Sequence, residues 1–179
     1  MVAPSAARTS AAVWAGGGPL WQPAGVEISE VDLVHVVDRA LDGMSRILAD
    51  LGDEGANGRP DLPGANSPYA IVTHCLGVLD FWVGQCVAGR SVQRDRDAEL
   101  RATGPVAPLI ERIARARAQL ARDIAGVDMT GPVTSGRDHP LRGEIRTRGA
   151  ALLHAYEELA QHHGQLELTR DVLIAGRNA

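Results

Sequence analysis

The sequence contains no lysine: all 18 basic side chains are arginine, in a chain of 179 residues with a formal net charge of −4. Lysine codons are AT-rich whereas arginine has GC-rich ones, so this bias indicates a gene from a high-GC genome. The arginines form no continuous basic block. The sequence therefore lacks the concentrated positive charge that nucleic-acid binding requires, and we expect no nucleic-acid partner.

Aromatic residues and long apolar runs are also scarce. Only 3% of the residues are aromatic although 45% are hydrophobic, so a core must consist mainly of aliphatic side chains. No apolar run reaches the roughly 18 residues of a membrane span, and the N-terminus lacks the apolar core of a signal peptide. We therefore expect one cytoplasmic domain without a membrane partner, large enough to fold without crosslinks.

The sequence has only two cysteines, Cys75 and Cys86, eleven positions apart on one predicted helix. Eleven residues of helix span about 16 Å along the axis. A disulfide requires Cα atoms within about 7 Å of each other. We therefore expect both thiols to be reduced and buried as small apolar groups.

The sequence shows helical periodicity, and no strand pattern or internal repeat is convincing. Ser29, with Asp32 three residues later, is typical of a helix start, and Ser67 followed by Pro68 marks another. The four predicted long helices run from about Ser29 to Leu51, Ser67 to Val87, Pro105 to Gly126 and Thr147 to Ala175. We predict an all-α four-helix bundle over residues 28–179, preceded by a flexible Ala-, Gly- and Pro-rich arm, residues 1–27.

Two predicted connections and one helix face are polar. Residues 52–66 read as a Gly/Pro-rich loop, and residues 89–97 as a charged connection. On the third predicted helix, the inward positions are expected to be Ile110, Ile113, Leu120 and Ile124. Its arginines, Arg112, Arg115, Arg117 and Arg122, are expected to be solvated.

The last predicted helix carries the most informative pair of residues. Glu158 and His162 are one turn apart, so both side chains leave the same face about 6 Å from each other. A carboxylate and an imidazole so placed can hold a divalent metal, and His74, within another apolar helix, is the candidate third ligand. Glu-x-x-x-His is a weak signal by itself, because an exposed pair and a hydrogen-bonded core His74 would give the same pattern.

Other polar residues near this pair have more than one interpretation. His154, one turn before Glu158, is a reserve ligand or a base lining the site. Gln165 could hydrogen-bond a ligand or substrate. Cys75 is an alternative ligand, although neighbours on a helix point about 100° apart. His163 is expected at the surface or behind the ligands. The residues assigned to packing are Tyr69, Trp82 and Tyr156, and those assigned to the surface are His35 and His139.

The pattern His74…Glu158-x-x-x-His162-x-Gly-Gln165, with residues 72–78 and Trp82 as a second anchor, resembles the DinB-like superfamily of four-helix metalloproteins. The resemblance covers roughly residues 29–175. Many members of this superfamily bind metal through three histidines. The variant with Glu as middle ligand resembles the mycothiol-dependent maleylpyruvate isomerase branch and related actinobacterial thiol-transferase-like proteins.

This resemblance implies that His74, Glu158 and His162 are metal ligands and act in catalysis through the bound metal. Zinc is the expected ion, although this ligand set also suits Ni, Fe or Mn. Mycothiol is the implied co-substrate, and a high-GC gene agrees with an actinobacterial, mycothiol-producing host. The isomerases have an additional C-terminal domain contributing to their active site, which this sequence does not contain, so we do not expect maleylpyruvate isomerisation itself.

We therefore predict a metal-dependent S-transferase, or thiol-dependent isomerase, that activates a small thiol for attack on an electrophilic small molecule. Coordination would replace the thiol proton and yield a thiolate at neutral pH. Arg90, Arg94 and Arg96 could bind polar groups of a sugar thiol, or form an ordinary solvated loop. Two alternatives use the same site: a metal hydrolase with water as nucleophile, and a non-catalytic, stress-related metal-binding bundle. A homodimer is possible in each case.

Overall fold

The structure, a computed structural model, describes residues 28–134 and 144–177. The predicted arm, residues 1–27, lies outside the described residues, and so does His139. The helices in chain order are α1 (Glu30–Asn57), α2 (Pro68–Leu79), a π-helix that continues α2 (Asp80–Val87), α3 (Arg96–Glu99), α4 (Val106–Ile124) and α5 (Arg148–Arg177). The prediction of an all-α helical bundle is confirmed. Within the described ranges, the isolated β-bridge is between Pro132 and Thr147.

Two helix starts follow directly from the sequence. Ser29 precedes α1 and its hydroxyl accepts a hydrogen bond from the Asp32 amide. Ser67 precedes α2 and accepts from the Ala70 amide, with Pro68 at the first helical position. Each side chain satisfies one of the amide groups that a helix leaves unpaired at its start. Both predicted N-caps are therefore confirmed.

The predicted end of the first helix requires a correction. Gly52 does break the helix, with φ +61 and ψ −175, but helical backbone resumes and α1 ends at Asn57. Asn57 explains this continuation, because its side chain donates to the Gly104 carbonyl at 2.8 Å and accepts from the Gly104 amide at 3.0 Å. Asp53 accepts from the Val106 amide at 2.8 Å and so caps α4. The start of the predicted loop is in fact helical and supports the start of α4.

The long helices pack around an aliphatic core in a definite arrangement. Helices α1 and α5 run in the same direction, since Gly43 lies against His163 and Gly55 against Arg177. Helix α2 runs opposite to α5, because His74 contacts His162 whereas Trp82, further along, contacts His154. Cysteines 75 and 86 are free thiols buried in this core, as expected.

The segment Pro68–Val87 is buried between the other helices. By length and composition alone it could cross a membrane, but 78% of its apolar window is buried inside the bundle. A core helix of a water-soluble domain has the same composition. This segment therefore comes close to a long apolar run, and its position is that of a central helix of the bundle.

Helix α4 corrects one expected surface residue. Ile113, Leu120 and Ile124 are buried as predicted, and Ile110 is partly buried. Arg117, however, is only partly exposed: its guanidinium pairs with Asp38 at 2.9 Å and also with Asp42, both on α1. Periodicity could not show this, because the partners belong to a helix more than seventy residues earlier in the chain.

Candidate metal centre

Helices α2 and α5 bring the three predicted ligands together. His74 is in the middle of α2, and Glu158 and His162 occupy successive turns of α5. One ligand atom from each of the three lies within 4.8 Å of the other two. His74 is buried, whereas the side chains of Glu158 and His162 are 30% and 26% exposed. The cluster thus has a closed side within the bundle and an open side toward solvent.

His162 is oriented by a hydrogen bond on the outer side of its ring. Its Nδ1 is 2.8 Å from Oε1 of Gln165, an oxygen that can only accept, so Nδ1 carries the hydrogen. In the neutral imidazole the other nitrogen, Nε2, keeps its lone pair, and it lies 3.6 Å from a carboxylate oxygen of Glu158. Gln165 was predicted to bond a ligand or substrate, and in the structure its amide oxygen holds His162.

His74 is oriented in the same way by a different group. Its Nδ1 is 2.8 Å from Oε2 of Glu99. Burial opposes ionisation of Glu99, but hydrogen bonds from His74 and Arg94 outweigh burial and hold the pKa of the carboxyl below its usual range. An ionised carboxylate only accepts, so His74 Nδ1 is the donor and Nε2 keeps the lone pair.

The chemistry of this donor set fits a divalent metal. Two imidazole nitrogens with free lone pairs and one carboxylate oxygen converge, and the outer nitrogen of each imidazole is already hydrogen-bonded. This is the arrangement in which histidines usually bind metals, with the second nitrogen fixed by a protein acceptor. Three protein ligands also leave at least one coordination position for another molecule.

The other two histidines of α5 differ in position, since His154 lies beside the cluster and His163 does not. His154 Nε2 is 3.8 Å from Glu158, its Nδ1 is 3.3 Å from Glu157, and its ring packs against Trp82 with centroids 4.8 Å apart. It therefore lines the site and contacts one ligand. His163 points away, toward Gly43 of α1.

Cys75 is not among the three clustered groups. Its side chain is completely buried in the core, and burial, with a smaller contribution from the charge of Glu158, raises the pKa of the thiol. A buried thiol that resists ionisation is a poor nucleophile and a poor metal ligand. The position of Cys75 therefore agrees with the expectation that neighbours on a helix point in different directions.

The arginines expected to bind a sugar thiol are held by carboxylates of the chain itself. Arg94 makes a two-pronged contact with Glu99, through Nε at 2.9 Å and Nη2 at 3.1 Å. Arg90 pairs with Asp123 of α4 at 3.1 Å and with Asp80 at 2.9 Å. Only Arg94 borders the cluster. A role for either in binding a thiol stays a prediction, and their first partners are internal.

Arg96 and Tyr156 complete the predicted set. Arg96 is exposed at the start of α3, and its side chain makes no hydrogen bond or ion pair within residues 28–134 and 144–177. Tyr156 is partly buried against the core, whereas Tyr69 and Trp82 are buried. The three aromatic residues therefore have the packing positions that were expected, and His35 is exposed as predicted.

Two features of the site were missing from the sequence interpretation. Glu99 lies just beyond the predicted charged connection, residues 89–97, at the end of the four-residue helix α3, which Asp95 caps through the Ala98 amide. Its separation from His74, 25 residues, has no helical periodicity. The π-helix Asp80–Val87 was predicted as ordinary helix, because a segment that is apolar over most of its circumference does not reveal its backbone period. The Asp95 cap was the one local signal that this connection contains a turn of helix.

The fold and the cluster together define the class of the protein: it is a DinB-like helical bundle. The model of the mycothiol S-transferase family matches residues 32–175, which is most of the chain. The chain therefore belongs to the mycothiol S-transferase family.

A crystal structure of a conserved protein from Enterococcus faecalis is similar to this chain, with a TM-score of 0.64. It is 17% identical in sequence, and the similarity covers 84% of this chain and 99% of that one. At that identity the similarity concerns the fold alone. No curated protein matches the sequence.

Proposed function

We propose that this protein is a metal-dependent S-transferase that joins a small thiol, mycothiol or a close analogue, to an electrophilic small molecule. The single observation that carries the proposal is the convergence of His74, Glu158 and His162 within 4.8 Å, in a chain that belongs to the mycothiol S-transferase family. Two neutral imidazoles and one carboxylate would leave a divalent cation with a net positive charge of one. That remaining charge favours an anionic fourth ligand such as a thiolate.

The residues that would hold the metal are His74 and His162, through Nε2, and Glu158, through its carboxylate. A divalent metal, zinc for example, lowers the pKa of a group bound to it, so that a thiol is deprotonated near neutral pH. Helices α2 and α5 are rigid elements, and the outer hydrogen bonds to Glu99 and Gln165 prevent the two rings from turning. The chain thereby presents the three ligands in one orientation.

In the transfer, the S–H bond of the thiol is replaced by an S–C bond. The bond that breaks in the electrophile leaves its electron pair on the atom that had been bonded to the attacked carbon. The thiol proton needs an acceptor, and His154 Nε2 is the proposed one. That nitrogen faces Glu158 across 3.8 Å, whereas Nδ1 faces Glu157. The ring is mostly shielded, with 15% of its side chain exposed, and Trp82 packs against it.

The test combines metal analysis with thiol-dependent turnover. Zinc-loaded protein is examined by X-ray absorption before and after addition of mycothiol, with its S-methyl derivative as the matched control. A sulfur neighbour of zinc is expected with mycothiol and not with the derivative. Conjugation of a reactive electrophile, monitored by mass spectrometry, should then require both zinc and the thiol.

Variants connect the result to the cluster. His162→Ala should remove the enzymatic part of the conjugation rate, whereas His163→Ala, which changes a ring packed against α1, should keep it. If no sulfur neighbour forms and an ester or amide substrate is cleaved without any thiol, the transferase proposal fails and a hydrolase replaces it. If the metal binds but no electrophile or ester turns over, a non-catalytic metal-binding bundle is the better description.

A further inference from the structure

The carboxylate of Glu99 is buried and contacts two other polar side chains of the site. Oε2 accepts from His74 Nδ1 at 2.8 Å and from Arg94 Nη2 at 3.1 Å, and Oε1 accepts from Arg94 Nε at 2.9 Å. Both oxygens are therefore used, and the ionic partner is present within the chain. Because both oxygens of this buried carboxylate accept hydrogen bonds, its position is well defined.

Gly77 provides the space that Glu99 occupies. It follows His74 by about one turn of α2, and a Cβ added at Gly77 would be 1.9 Å from Glu99 Oε1 and 2.5 Å from its carboxyl carbon. No side chain larger than hydrogen at position 77 is compatible with the observed position of Glu99. Glycine is unfavourable inside a helix, so its occurrence in a central helix is explained by this contact.

Arg94 fixes the carboxylate from the other side. Its guanidinium binds Glu99 with two parallel hydrogen bonds, a geometry that allows little rotation of the carboxylate. The guanidinium also lies over the ring of Phe81, 5.8 Å from the ring centroid. Arg94 is therefore itself held in place, and Glu99 has one orientation relative to α2.

We infer that Glu99 is a positioning residue, which fixes the ring and the tautomer of His74 so that Nε2 faces Glu158 and His162 with a free lone pair. The inference deepens the proposed function and rests on its metal site. A carboxylate partner also increases the electron density of the imidazole and so strengthens it as a ligand. His162 has the neutral amide of Gln165 in the equivalent place, so the two histidines of the cluster have outer partners of different charge.

Two substitutions disturb this contact by different routes. Glu99→Gln keeps an acceptor oxygen at nearly the same size and removes the charge. Gly77→Ala leaves Glu99 intact and forces its carboxylate away from α2, while alanine favours the helix more than glycine does. Glu111→Gln is the matched control, because Glu111 is an exposed carboxylate of α4 whose partner, Arg115, is also exposed.

Zinc affinity, measured by competition with a chromophoric chelator, should fall between about 10-fold and 100-fold in Glu99→Gln and Gly77→Ala. It should stay within about twofold of the unmodified protein in Glu111→Gln, which lies away from the cluster. Circular dichroism confirms that each variant is folded before the affinities are compared. Equal zinc affinity in all four proteins would overturn the inference while leaving the proposed metal site intact.

The second measurement needs no metal. Nitrogen-15 NMR of the metal-free protein should show that His74 carries its hydrogen on Nδ1, and that Gly77→Ala, in which the carboxylate is forced away, has a mixture of tautomers. An unchanged tautomer in Gly77→Ala would overturn the inference. Failure of the unmodified protein to bind zinc would instead overturn the proposed function, and the NMR result would still decide whether Glu99 fixes His74.

Discussion

Two arginines of the connection after α2 each bind a buried carboxylate, and what lies behind the carboxylate differs between the two pairs. Arg94 binds Glu99, and Arg90 binds Asp123; the side chains of both acids are at least nine-tenths buried. Glu99 also accepts from His74, a member of the candidate metal cluster. Asp123 instead accepts from Gln119 at 2.7 Å, on its own helix.

The difference shows that the chemistry of an ion pair does not reveal its role. In both pairs, the contact with arginine offsets the free-energy cost of removing the carboxylate from water. The pair at Arg90 connects the π-helix to α4, since its guanidinium also meets Asp80. The pair at Arg94 orients a histidine of the cluster. We therefore expect one pair to influence stability alone and the other to influence both stability and metal binding.

The largest expected effect comes from the cluster behind the Arg94–Glu99 pair. His74→Ala, Glu158→Ala and His162→Ala should each lower zinc affinity more than about 100-fold, because loss of an outer partner alone can cost up to that factor. Elemental analysis and chelator competition measure the loss. His163→Ala is the control and should retain its metal. Full metal occupancy in Glu158→Ala with loss in His154→Ala would move the site by one turn and contradict the assignment.

The next largest effect is expected when each buried acid of the two pairs loses its arginine. Arg94→Gln and Arg90→Gln each remove the cationic partner of a buried acid, so each should lower the free energy of unfolding in urea by about 1–3 kcal/mol. Only Arg94→Gln should also weaken zinc binding, by about tenfold, since Glu99 then loses its fixed orientation. An equal loss of zinc affinity in Arg90→Gln would show that both pairs act through general stability.

Acid stability of the metal-free protein sharpens the comparison further. The pKa of Glu99 is lower in the folded protein than in the unfolded chain, where a glutamate titrates near about 4.3. Between these two values the unfolded chain binds more protons, so the stability contributed by Glu99 is complete above pH 4.3, roughly, and is lost as the pH falls through the folded-state pKa.

Glu99→Gln removes this titration. Its stability should therefore decrease less steeply on acidification than that of the unmodified protein, as measured by urea unfolding at several pH values below about 5 with a chelator present. Parallel slopes for the two proteins would mean that the hydrogen bonds from His74 and Arg94 do not favour the ionised form of Glu99.

The smallest effect is expected at a third pair that lies entirely at the surface. Arg115 and Glu111 on α4 are 3.5 Å apart, with side chains 66% and 72% exposed. Glu111→Gln should change the free energy of unfolding by less than about 0.5 kcal/mol, because solvent screens exposed pairs and ordering their side chains costs entropy. If the free energy of unfolding fell as much as it does in Arg90→Gln, burial would not be the property that distinguishes this surface pair from the two buried pairs.

Local patterns in the sequence were sufficient for most of the fold. Ser29 and Ser67 each start a helix by accepting from an amide three residues later, and Pro68 fits the first helical position, so their effect is visible in the sequence. The helix break at Gly52 is of the same kind, because a positive φ there depends on the residue itself. The continuation of α1 beyond Gly52 was missed, since Asn57 is held by Gly104, almost fifty residues away.

The candidate site divides in the same way. Glu158 and His162 are one turn apart, so the geometry of a helix alone places them side by side. His74 was the candidate third ligand because it lies within another apolar helix, and the packing of α2 against α5 brings it to them. The roles of Glu99 and Gly77 depend on that packing and on the path of the connection after α2. No periodicity links Glu99 to His74.

The sequence by itself determined the long helices, their apolar faces, the caps at Ser29 and Ser67 and the i, i+4 pair, because these follow from interactions between residues at most four positions apart. Only the tertiary structure decided which arginine holds which acid, and which nitrogen of His74 is free. Arg90 and Asp123 are 33 residues apart and His74 and Glu99 are 25 apart, so the formation of these contacts depends on how the helices pack. Arg90 and Arg94 have the same side chain, and their different roles come from their surroundings.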